Sequence, residues 1–300
     1  MPKIAAVILN YNSHKDVENC VNSLLRYSNE INEIIIVDNN SRKESLNYIL
    51  NNIKNVQIVK RRLNDGYAAG NNEGIKTAIS NGADYILIMN PDIIISENIL
   101  RPLIETLSAD SSIGIVTGKA YLKSTSKIYT TGGKINFALC SVVPLATNQI
   151  HKPQFVKFIS GCLMLIRKEV ILDIGYLDEK YFMYCEDLKF SYEVNKKFKL
   201  YYQPESVFYH GSGAGNKLEE YSPMYLYYST RNRILFFTSV NSKLKVYFYL
   251  ISFILILSKF VLLIFRSSKT NSNLSIQISA LVNGWIDGLK NVSGKNINYI

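Results

Sequence analysis

Cysteine is scarce in this sequence, and the long apolar start of a secreted protein is missing. The four cysteines, at positions 20, 140, 162 and 185, form no C-x-x-C pair. Residues 1–3 lead directly into an apolar stretch of strand length, without the longer apolar segment of a secretory signal. We therefore expect reduced thiols and a cytoplasmic protein.

Two common phosphate-binding motifs are also absent. No G-x-G-x-x-G follows the first predicted strand, which argues against a dinucleotide-binding dehydrogenase. No G-x-x-x-x-G-K followed by Ser or Thr occurs anywhere, which excludes a P-loop phosphotransferase.

Acidic residues are fewer than basic ones, and the formal net charge is +10. The basic residues are spread along the chain, with the densest run at residues 60–62. Spread charge of this kind is typical of a solvated surface, and it also suits anionic lipid or a phosphate-bearing substrate. No helix-turn-helix, zinc-finger or ribonucleoprotein pattern accompanies it, so nucleic acid is not an expected partner.

What the sequence does contain is a regular alternation of apolar strands and amphipathic helices. This alternation predicts an α/β protein with a doubly wound, mostly parallel sheet. The predicted strands cover residues 4–9, 34–37, 56–59, 85–89, 113–116 and 158–166. The predicted helices lie near residues 17–25, 46–53, 75–79 and 99–107, and from residue 168 onward. Residues 120–157 are polar and rich in Gly or Thr, which favours a variable substrate loop or hairpin.

Carboxylates stand where two of these strands end. Asn90, Pro91 and Asp92 follow the fourth strand, and proline stops the pairing because it has no N–H. Asp92 therefore lies at the carboxyl edge, where open α/β sheets bind ligands, and Asp38 ends an earlier strand similarly. Such carboxylates hold a cation on a diphosphate or accept hydrogen bonds from a nucleoside, the alternative being a turn or helix cap. Because they bracket the glycine-bearing loop 64–72, we favour a nucleotide site.

A second chemical centre lies near residue 186. Glu186 and Asp187 follow an aromatic run, residues 181–184, and begin a predicted helix. A helix N-terminus stabilises the carboxylate anion and keeps it able to take a proton, although plain charge complementarity is the alternative. His210 ends a strand beside glycines, a position that suits a metal ligand or a structural histidine.

These stretches resemble the family 2 inverting nucleotide-sugar glycosyltransferases, and most closely their rhamnosyltransferase-like branch of bacterial polysaccharide synthesis. The stretches that carry the resemblance are residues 7–12, 37–41, 64–74, 90–92, 161–167, 178–187 and His210. The resemblance implies a GT-A domain over residues 1–215, with a mixed, mostly parallel central sheet flanked by helices. Residues 216–300 would form a C-terminal helical region that associates with a membrane or with a second copy.

The resemblance also implies roles for individual residues. Asp187 would be the general base, with Glu186 as its partner, and the metal ligands would be Asp92 and His210. Asp38 would hold the nucleobase. The implied donor-binding residues are Leu9, Asn10, Tyr11, Asn12, Asp38, Asn40, Asn64, Gly66, Tyr67, Gly70, Asn71, Asn90, Asp92, Arg231 and Arg233. The two arginines would help to hold the diphosphate, although residues two apart do not share a helix face.

The implied reaction moves rhamnose or another hexose from a dTDP- or UDP-linked donor to a glycan or polyprenyl-linked acceptor, with Mg²⁺ or Mn²⁺. Three residues depart from the branch: Asn90 replaces the first Asp of Asp-x-Asp, Lys189 replaces a later acidic residue, and Glu193 replaces an arginine. The last two changes bear on the acceptor and the sugar. The alternatives are a non-catalytic glycosyltransferase-like binding or scaffold subunit, which Asn90 motivates, and a sugar nucleotidyltransferase. The latter is disfavoured because no Gly-rich loop with Arg and Lys follows the first strand.

Residues 246–265 form an apolar run that is long enough to span a bilayer. Lys245, Ser252, Lys259 and Arg266 recur every seven residues and therefore form one stripe along a helix. Because a lysine inside a span costs roughly 2.5–3.5 kcal/mol, we expect a helix lying in the leaflet interface. This places the protein on the inner face of the cell membrane, and a dimer-forming or core helix is the alternative.

Overall fold

The computed structural model describes residues 2–123, 125, 127–211, 221–267 and 273–300, apart from the side chains of residues 266 and 267. Strands and helices alternate along the N-terminal part. The strands there are β1 (Ile4–Asn10), β2 (Glu33–Asp38), β3 (Gln57–Lys60) and β4 (Tyr85–Met89). The helices there are α1 (His14–Tyr27), α2 (Lys43–Asn52) and α3 (Tyr67–Ser80).

The chain then becomes richer in strands and ends in three helices. The remaining strands are β5 (Ile93–Ile94), β6 (Ile113–Leu122), β7 (Ile128–Thr130), β8 (Gly133–Asn136), β9 (Ser141–Pro144), β10 (Gln154–Val156), β11 (Leu163–Arg167) and β12 (Lys199–His210). The remaining helices are α4 (Leu100–Ala109), α5 (Lys168–Ile174), α6 (Glu186–Val194), α7 (Pro223–Val240), α8 (Lys245–Ser267) and α9 (Leu274–Leu289).

Ten of the strands form one sheet, and β8 and β9 form a separate hairpin. The order across the sheet is β10-β12-β6-β11-β4-β1-β2-β3, with β5 beside β12 and β7 beside β6. The run from β4 through β1 and β2 to β3 is parallel, and β12 is parallel to β6, whereas β11 is antiparallel to both its neighbours. This architecture confirms the predicted mixed, mostly parallel α/β sheet of the GT-A class.

Helices cover both faces of the sheet, and this explains why the strands read as continuous apolar runs. Alternate residues of β1 point into different cores: Ala6 and Ile8 pack with α1, α2 and α4. Val7 packs on the opposite face, with α3, α5 and α6. The register also aligns the strand ends, because Asn10 pairs with Asp38. The polar residues that follow β1, β2 and β4 therefore reach one edge of the sheet.

The structure differs from the predicted strand over residues 158–166, because β11 begins only at Leu163. The backbone of Phe158 pairs with Gly133 instead, next to the β8–β9 hairpin. The N–H of Gly161 donates to the Asp187 carboxylate, 3.0 Å away. Residues 158–162 thus turn toward α6 before the chain enters the sheet.

Two further boundaries differ from the prediction. The helix α3 begins at Tyr67, so the second half of the predicted loop 64–72 forms the first helical turns. The region 120–157 is not a single loop, since β6 continues to Leu122 and β7 to β10 follow it. The predicted hairpin is present there as β8 and β9.

The three C-terminal helices pack on one another, with α9 in close contact with α7. Gly284 permits this contact, because a Cβ there would lie 2.5 Å from the carbonyl oxygen of Tyr227. The predicted stripe of α8 faces its neighbours only in part, because Lys245 is exposed. Ser252 is buried and accepts a hydrogen bond from the indole N–H of Trp285 at 3.0 Å. The ammonium of Lys259 lies 5.6 Å from the ring centre of Tyr225. The side chain of Arg266 lies outside the described residues.

The other face of α8 is apolar and exposed. The side chain of Val246 is 72% exposed, and that of Leu250 is 60% exposed. Within the described ranges, Ser242–Phe265 is the one helix that could cross a membrane by length and composition, and only 17% of its most apolar window is buried.

A buried asparagine of α7 joins the C-terminal helices to the segment before α6. The amide nitrogen of Asn232 lies 2.7–2.8 Å from the carbonyl oxygens of Tyr181, Met183 and Tyr184. Its side-chain oxygen accepts a hydrogen bond from Arg231. The segment needs such support, because Phe182, Tyr184 and Cys185 all have positive φ. We call this arrangement the Asn232 clamp.

Asn232→Ala is expected to lower the stability of the fold. The change leaves three backbone carbonyls without their amide donor, which costs about 1–3 kcal/mol for buried groups. The melting temperature and the urea midpoint measure this loss. Asn52→Ala serves as the control, because the Asn52 side chain is exposed and makes a single local hydrogen bond. Equal midpoints for the two variants would contradict the role assigned to the clamp.

Candidate active site

A cavity of about 570 Å³ opens at the carboxyl edge of the sheet. Residues that follow β1 and β4, the turn before β11, the start of α6 and the end of β12 form its walls. The lining residues are Leu9, Tyr11, Ser13, Tyr67, Asn90, Pro91, Asp92, Tyr129, Ser160, Gly161, Cys162, Met183, Tyr184, Cys185, Glu186, Asp187, His210 and Tyr225. The structure thus brings together the two chemical centres that are far apart in the sequence.

One wall carries Asp92 and His210. The His210 Nδ1 atom lies 3.1 Å from the Asp92 Oδ2 atom, and its Nε2 atom lies 3.3 Å from the Asn90 amide nitrogen. Among the described residues, His210 Nδ1 and Asn90 Oδ1 are buried without a hydrogen bond. Tyr129 packs against the imidazole with the two rings tilted by 38° and their centres 4.4 Å apart. The wall therefore presents a carboxylate, an imidazole and an amide oxygen close together.

The other wall carries Glu186 and Asp187 at the start of α6. The Asp187 carboxylate accepts hydrogen bonds from the backbone N–H of Gly161 at 3.0 Å and of Leu188 at 2.7 Å. Glu186 is buried, and its Oε2 atom has no hydrogen-bond partner among the described residues. Backbone N–H groups of Gly161 and Leu188 therefore favour the anionic form of Asp187, whereas only its own backbone N–H supports a charge on Glu186.

Burial gives this pair unusual proton affinities. Burial, and then the charge of Asp187, raise the pKa of Glu186 to about 8. Burial also raises the pKa of Asp187, while the N–H groups of Gly161 and Leu188 oppose that rise. Near neutral pH we therefore assign the retained proton to Glu186 and the negative charge to Asp187. Asp187 can then accept a proton from a hydroxyl group in the cavity.

Gly66 connects the loop before α3 to the segment before α6. Its φ is +101°, and a Cβ there would lie 2.0 Å from the carbonyl oxygen of Phe182. The next residue, Tyr67, donates its backbone N–H to that carbonyl at 2.6 Å and its hydroxyl to the carbonyl of Gly161 at 2.7 Å. Glycine is therefore required for the contact that holds Tyr67 beside Asp187.

Several predicted nucleoside-binding residues lie next to the cavity but do not line it. Asp38 is 2% exposed, and its carboxylate accepts hydrogen bonds from the Asn10 side chain and from the N–H of Ser41. Asn12 contacts the backbone N–H of Arg42. The side-chain oxygen of Asn64 accepts a hydrogen bond from the backbone N–H of Gly66. These side chains shape the sheet edge, and of the first loop only Leu9 and Tyr11 among the predicted residues reach the cavity.

The remaining predicted donor residues have structural contacts. Asn40 has a positive φ of 62°, as expected for a tight turn. Gly70 lies against Leu9, since a Cβ there would be 2.3 Å from a methyl carbon of that leucine. The Asn71 amide donates to the carbonyl of Tyr67, and its buried Oδ1 has no partner among the described residues.

The two arginines of α7 are not brought to the cavity wall, which corrects the prediction that they hold the donor diphosphate. Arg231 is fully buried, and its guanidinium donates to the carbonyls of Gly294 and Tyr181 and to Asn232. Its donors are therefore committed to the fold. Arg233 lies on another face of α7, beside Lys259.

Sequence reasoning missed several cavity residues. Tyr129 lies in the stretch without clear periodicity, so no pattern marked it. Tyr225 belongs to a distant helix and could only be placed by tertiary packing. Gly161 was within a resembling stretch, yet its N–H bond to Asp187 depends on the turn before β11. Asn232 does not line the cavity but supports the segment before α6, and it gave no signal of its own in the sequence.

The raised pKa of Glu186 predicts a pH-dependent stability. A carboxyl group whose folded-state pKa lies above its ordinary value of 4.5 stabilises the fold while it stays protonated. This contribution is complete below about pH 4.5 and is lost as the pH rises through about 8. Wild-type protein should therefore lose stability relative to Glu186→Gln over this window, as measured by melting temperature.

Glu44→Gln is the control, because Glu44 is exposed on α2. Its melting curve should stay parallel to that of the wild type at every pH. If Glu186→Gln also stays parallel to the wild type, Glu186 does not carry the proton assigned to it.

Comparisons with known proteins agree with this geometry. The sequence model of Glycosyl transferase family 2 matches residues 5–175. The low-salt glycan biosynthesis hexosyltransferase Agl10 of Haloferax volcanii is 25% identical over 198 residues, which cover 65% of this chain and 62% of the relative. The poly-beta-1,6-N-acetyl-D-glucosamine synthase of Staphylococcus aureus is 27% identical over 197 residues, which cover 65% and 46%. The chain therefore spans less than two thirds of the length of these curated relatives.

Solved structures share the fold at low sequence identity. The mannosyltransferase PcManGT of Pyrobaculum calidifontis, solved with GDP-Man and Mn²⁺, has a TM-score of 0.58 at 11% identity, covering 97% of this chain and 88% of its own. A TarS fragment of S. aureus has a TM-score of 0.56 at 16% identity, covering 96% and 81%, and that fragment has also been solved with UDP. Because the family match covers more than half of the 300 residues, the chain belongs to glycosyl transferase family 2.

Proposed function

We propose that the protein is a metal-dependent inverting glycosyltransferase of cell-surface polysaccharide synthesis. It would move rhamnose or another hexose from a nucleoside-diphosphate sugar to a glycan or lipid-linked acceptor. The observation that carries this proposal is one cavity that holds the Asp92–His210 pair and also the Asp187 carboxylate. Family membership supports the transferase class, and both curated relatives are named for the synthesis of glycans.

The residues of the first wall fit a divalent cation. Asp92 supplies a carboxylate, His210 an imidazole nitrogen without a hydrogen bond, and Asn90 a buried amide oxygen without a partner among the described residues. An imidazole beside oxygen ligands suits Mn²⁺ as well as Mg²⁺. The described residues contain no group of three His, Cys, Asp or Glu ligands, so oxygens of the donor diphosphate would complete the set. When bound, the cation supplies charge stabilisation to the departing diphosphate.

Asp187 is the group that would take the acceptor proton. Burial raises the pKa of both carboxyl groups, but two backbone N–H donors oppose this rise at Asp187, so we assign the negative charge of the pair to Asp187 and the proton to Glu186. The acceptor hydroxyl gives its proton to Asp187 as its oxygen bonds to the anomeric carbon. The bond from that carbon to the diphosphate oxygen breaks on the opposite face, so the configuration inverts. General-base help of this kind is typically worth ~10²–10⁴ in rate.

The donor would lie with its base near the ends of β1 and β2. Tyr11 is 46% exposed in the cavity and offers a ring for contact with the nucleoside. Asp38 lies buried behind this edge, so its expected hydrogen bond from the N3–H of uracil or thymine would require a remaining lone pair of its carboxylate to become accessible when the donor binds. A UDP- or dTDP-linked donor would suit this edge, and UDP is the ligand named for the TarS fragment.

The C-terminal helices favour a membrane-bound acceptor. The helix α8 reaches the cavity wall on its inner side, where Lys259 contacts Tyr225, and its opposite side is apolar and exposed. Lipid would cover this face with α8 lying in the interface of the inner leaflet, near a polyprenyl-linked acceptor. A second copy of the chain is the other possible cover.

The proposed activity is tested with the purified chain, Mg²⁺ or Mn²⁺, and a panel of UDP- and dTDP-linked hexoses. One donor should release nucleoside diphosphate. Asp92→Asn should lose most of this release because the cation loses its carboxylate ligand. Asp187→Asn should lower the rate roughly 10²–10⁴-fold while nucleotide binding stays close to that of the wild type.

Asp65→Asn is the matched control, because Asp65 is an exposed carboxylate outside the cavity lining. It should retain wild-type release. If no donor yields nucleoside diphosphate with a membrane extract supplied as the source of acceptor, the account fails in favour of a non-catalytic binding subunit.

Lipid vesicles test the proposed membrane contact. Leu250, Ile254 and Leu257 lie on one exposed side of α8, and changing all three to Gln should reduce flotation with phosphatidylglycerol vesicles at least tenfold. The control changes Leu25, Leu50 and Leu172 to Gln, since these exposed leucines lie on the sheet domain. Unchanged flotation, with a shift from dimer to monomer in solution, would show that a second copy covers α8.

A further inference from the structure

A second, smaller cavity lies between α7 and α8, behind the segment that begins α6. Its volume is about 20 Å³. The residues that line it are Thr230, Arg233, Ile234, Ser252, Leu255, Ile256 and Lys259. Two cationic side chains and two hydroxyl groups thus meet in an apolar setting, and the lining contains no carboxylate.

The guanidinium N–H donors of Arg233 are available in this cavity. Its guanidinium makes no hydrogen bond and no ion pair with any described residue, whereas the adjacent Arg231 uses its donors on the fold. Arg233 itself is only half-buried, so its donors face the mouth of the cavity. The Thr230 hydroxyl is buried without a partner in the described part of the chain. Buried polar groups are ordinarily satisfied, so this hydroxyl indicates a missing partner beside the guanidinium.

Lys259 links this cavity to the main one. It belongs to the part of the α8 stripe that faces the neighbouring helices, and its ammonium lies 5.6 Å from the ring centre of Tyr225, which lines the main cavity. Burial raises the pKa of Cys185, another lining residue of the main cavity, and the nearby charges of Arg233 and Lys259 oppose that rise. The two cations therefore lie just behind the cavity wall, between α7 and α8.

We infer that Arg233 and Lys259 bind the phosphate or diphosphate group of a lipid-linked ligand whose chain lies along the exposed face of α8. A guanidinium and an ammonium are the usual protein partners of phosphate, and the Thr230 hydroxyl adds a donor. The small cavity admits one phosphoryl oxygen, because a single water needs about 10–15 Å³ by this measure. The rest of the phosphate group would lie at the mouth of the cavity, and the sugar acceptor beyond it would point toward Asp187.

This site is separate from the donor's diphosphate site, which the proposed function assigns to Asp92 and His210. The inference rests on the proposed function, because it names the residues that would bind the lipid phosphate of the acceptor. It can nevertheless be tested by binding alone, without turnover.

The single tryptophan provides the signal for such a test. Trp285 donates its indole N–H to the hydroxyl of Ser252, and Ser252 lines the small cavity. The fluorescence of Trp285 is recorded while the full chain in neutral detergent is titrated with farnesyl phosphate, farnesyl diphosphate, farnesol or lysophosphatidic acid. Farnesyl phosphate or diphosphate should change the emission with saturation, and farnesol should bind at least tenfold more weakly.

Arg233→Gln and Lys259→Met should each weaken binding of the prenyl phosphates about tenfold or more. Arg233→Lys should restore part of the affinity, which separates a charge effect from misfolding. The controls are Arg101→Gln on the surface of α4 and Lys245→Met, which removes the same charge from the same stripe of α8. Both controls should bind as the wild type does.

Lysophosphatidic acid distinguishes the source of the phosphate. Arginine-dependent binding of the prenyl phosphates alone supports an acceptor lipid, and equal binding of lysophosphatidic acid supports a membrane phospholipid in the same site. Farnesol binding as tightly as its phosphate, or equal affinities in all variants, would overturn the inference.

Binding of UDP and dTDP is measured in parallel. If the wild type binds neither nucleotide, the result counts against the proposed donor site and leaves the lipid phosphate site unaffected.

Discussion

The segment before α6 depends on hydrogen bonds from a helix more than forty residues away in the sequence. Three of its residues have positive φ, and the Asn232 clamp holds three of its carbonyl groups. Gly66 presses against the same segment from the other side. Without these contacts the chain would relax toward ordinary backbone angles, and Asp187 would lose its position beside Gly161. The C-terminal helices therefore contribute to the site.

Two unlike environments face each other across the cavity that results. Near Asp92, an imidazole and an amide oxygen lie close to a carboxylate that is still partly open to solvent. Near Asp187, burial makes a second charge costly, so Glu186 retains its proton. One side can accept positive charge from a cation, and the other can accept a proton from a hydroxyl. This separation of roles within one cavity is what a transfer between diphosphate and hydroxyl requires.

The sequence predicted the sheet well because strands buried on both faces leave continuous apolar runs, as at β1 and β4. It also located Asp92, His210 and Asp187, since each stands at the end or start of an element. The sequence prediction failed where tertiary contacts determine the role of a residue. Arginine is a common phosphate ligand, yet the donors of Arg231 are used by the carbonyls of Gly294 and Tyr181. The heptad spacing of polar residues in α8 is visible in the sequence, but only packing shows that Ser252 and Lys259 face the neighbouring helices.

The anomeric configuration of the product tests the central claim most directly. Once a donor is identified, proton NMR of the transferred sugar gives its configuration from the coupling at the anomeric carbon. A single displacement assisted by Asp187 predicts the configuration opposite to that of the donor. Retention would contradict it, because the cavity would then have to supply a nucleophile that bonds to the sugar instead of a base that takes a proton.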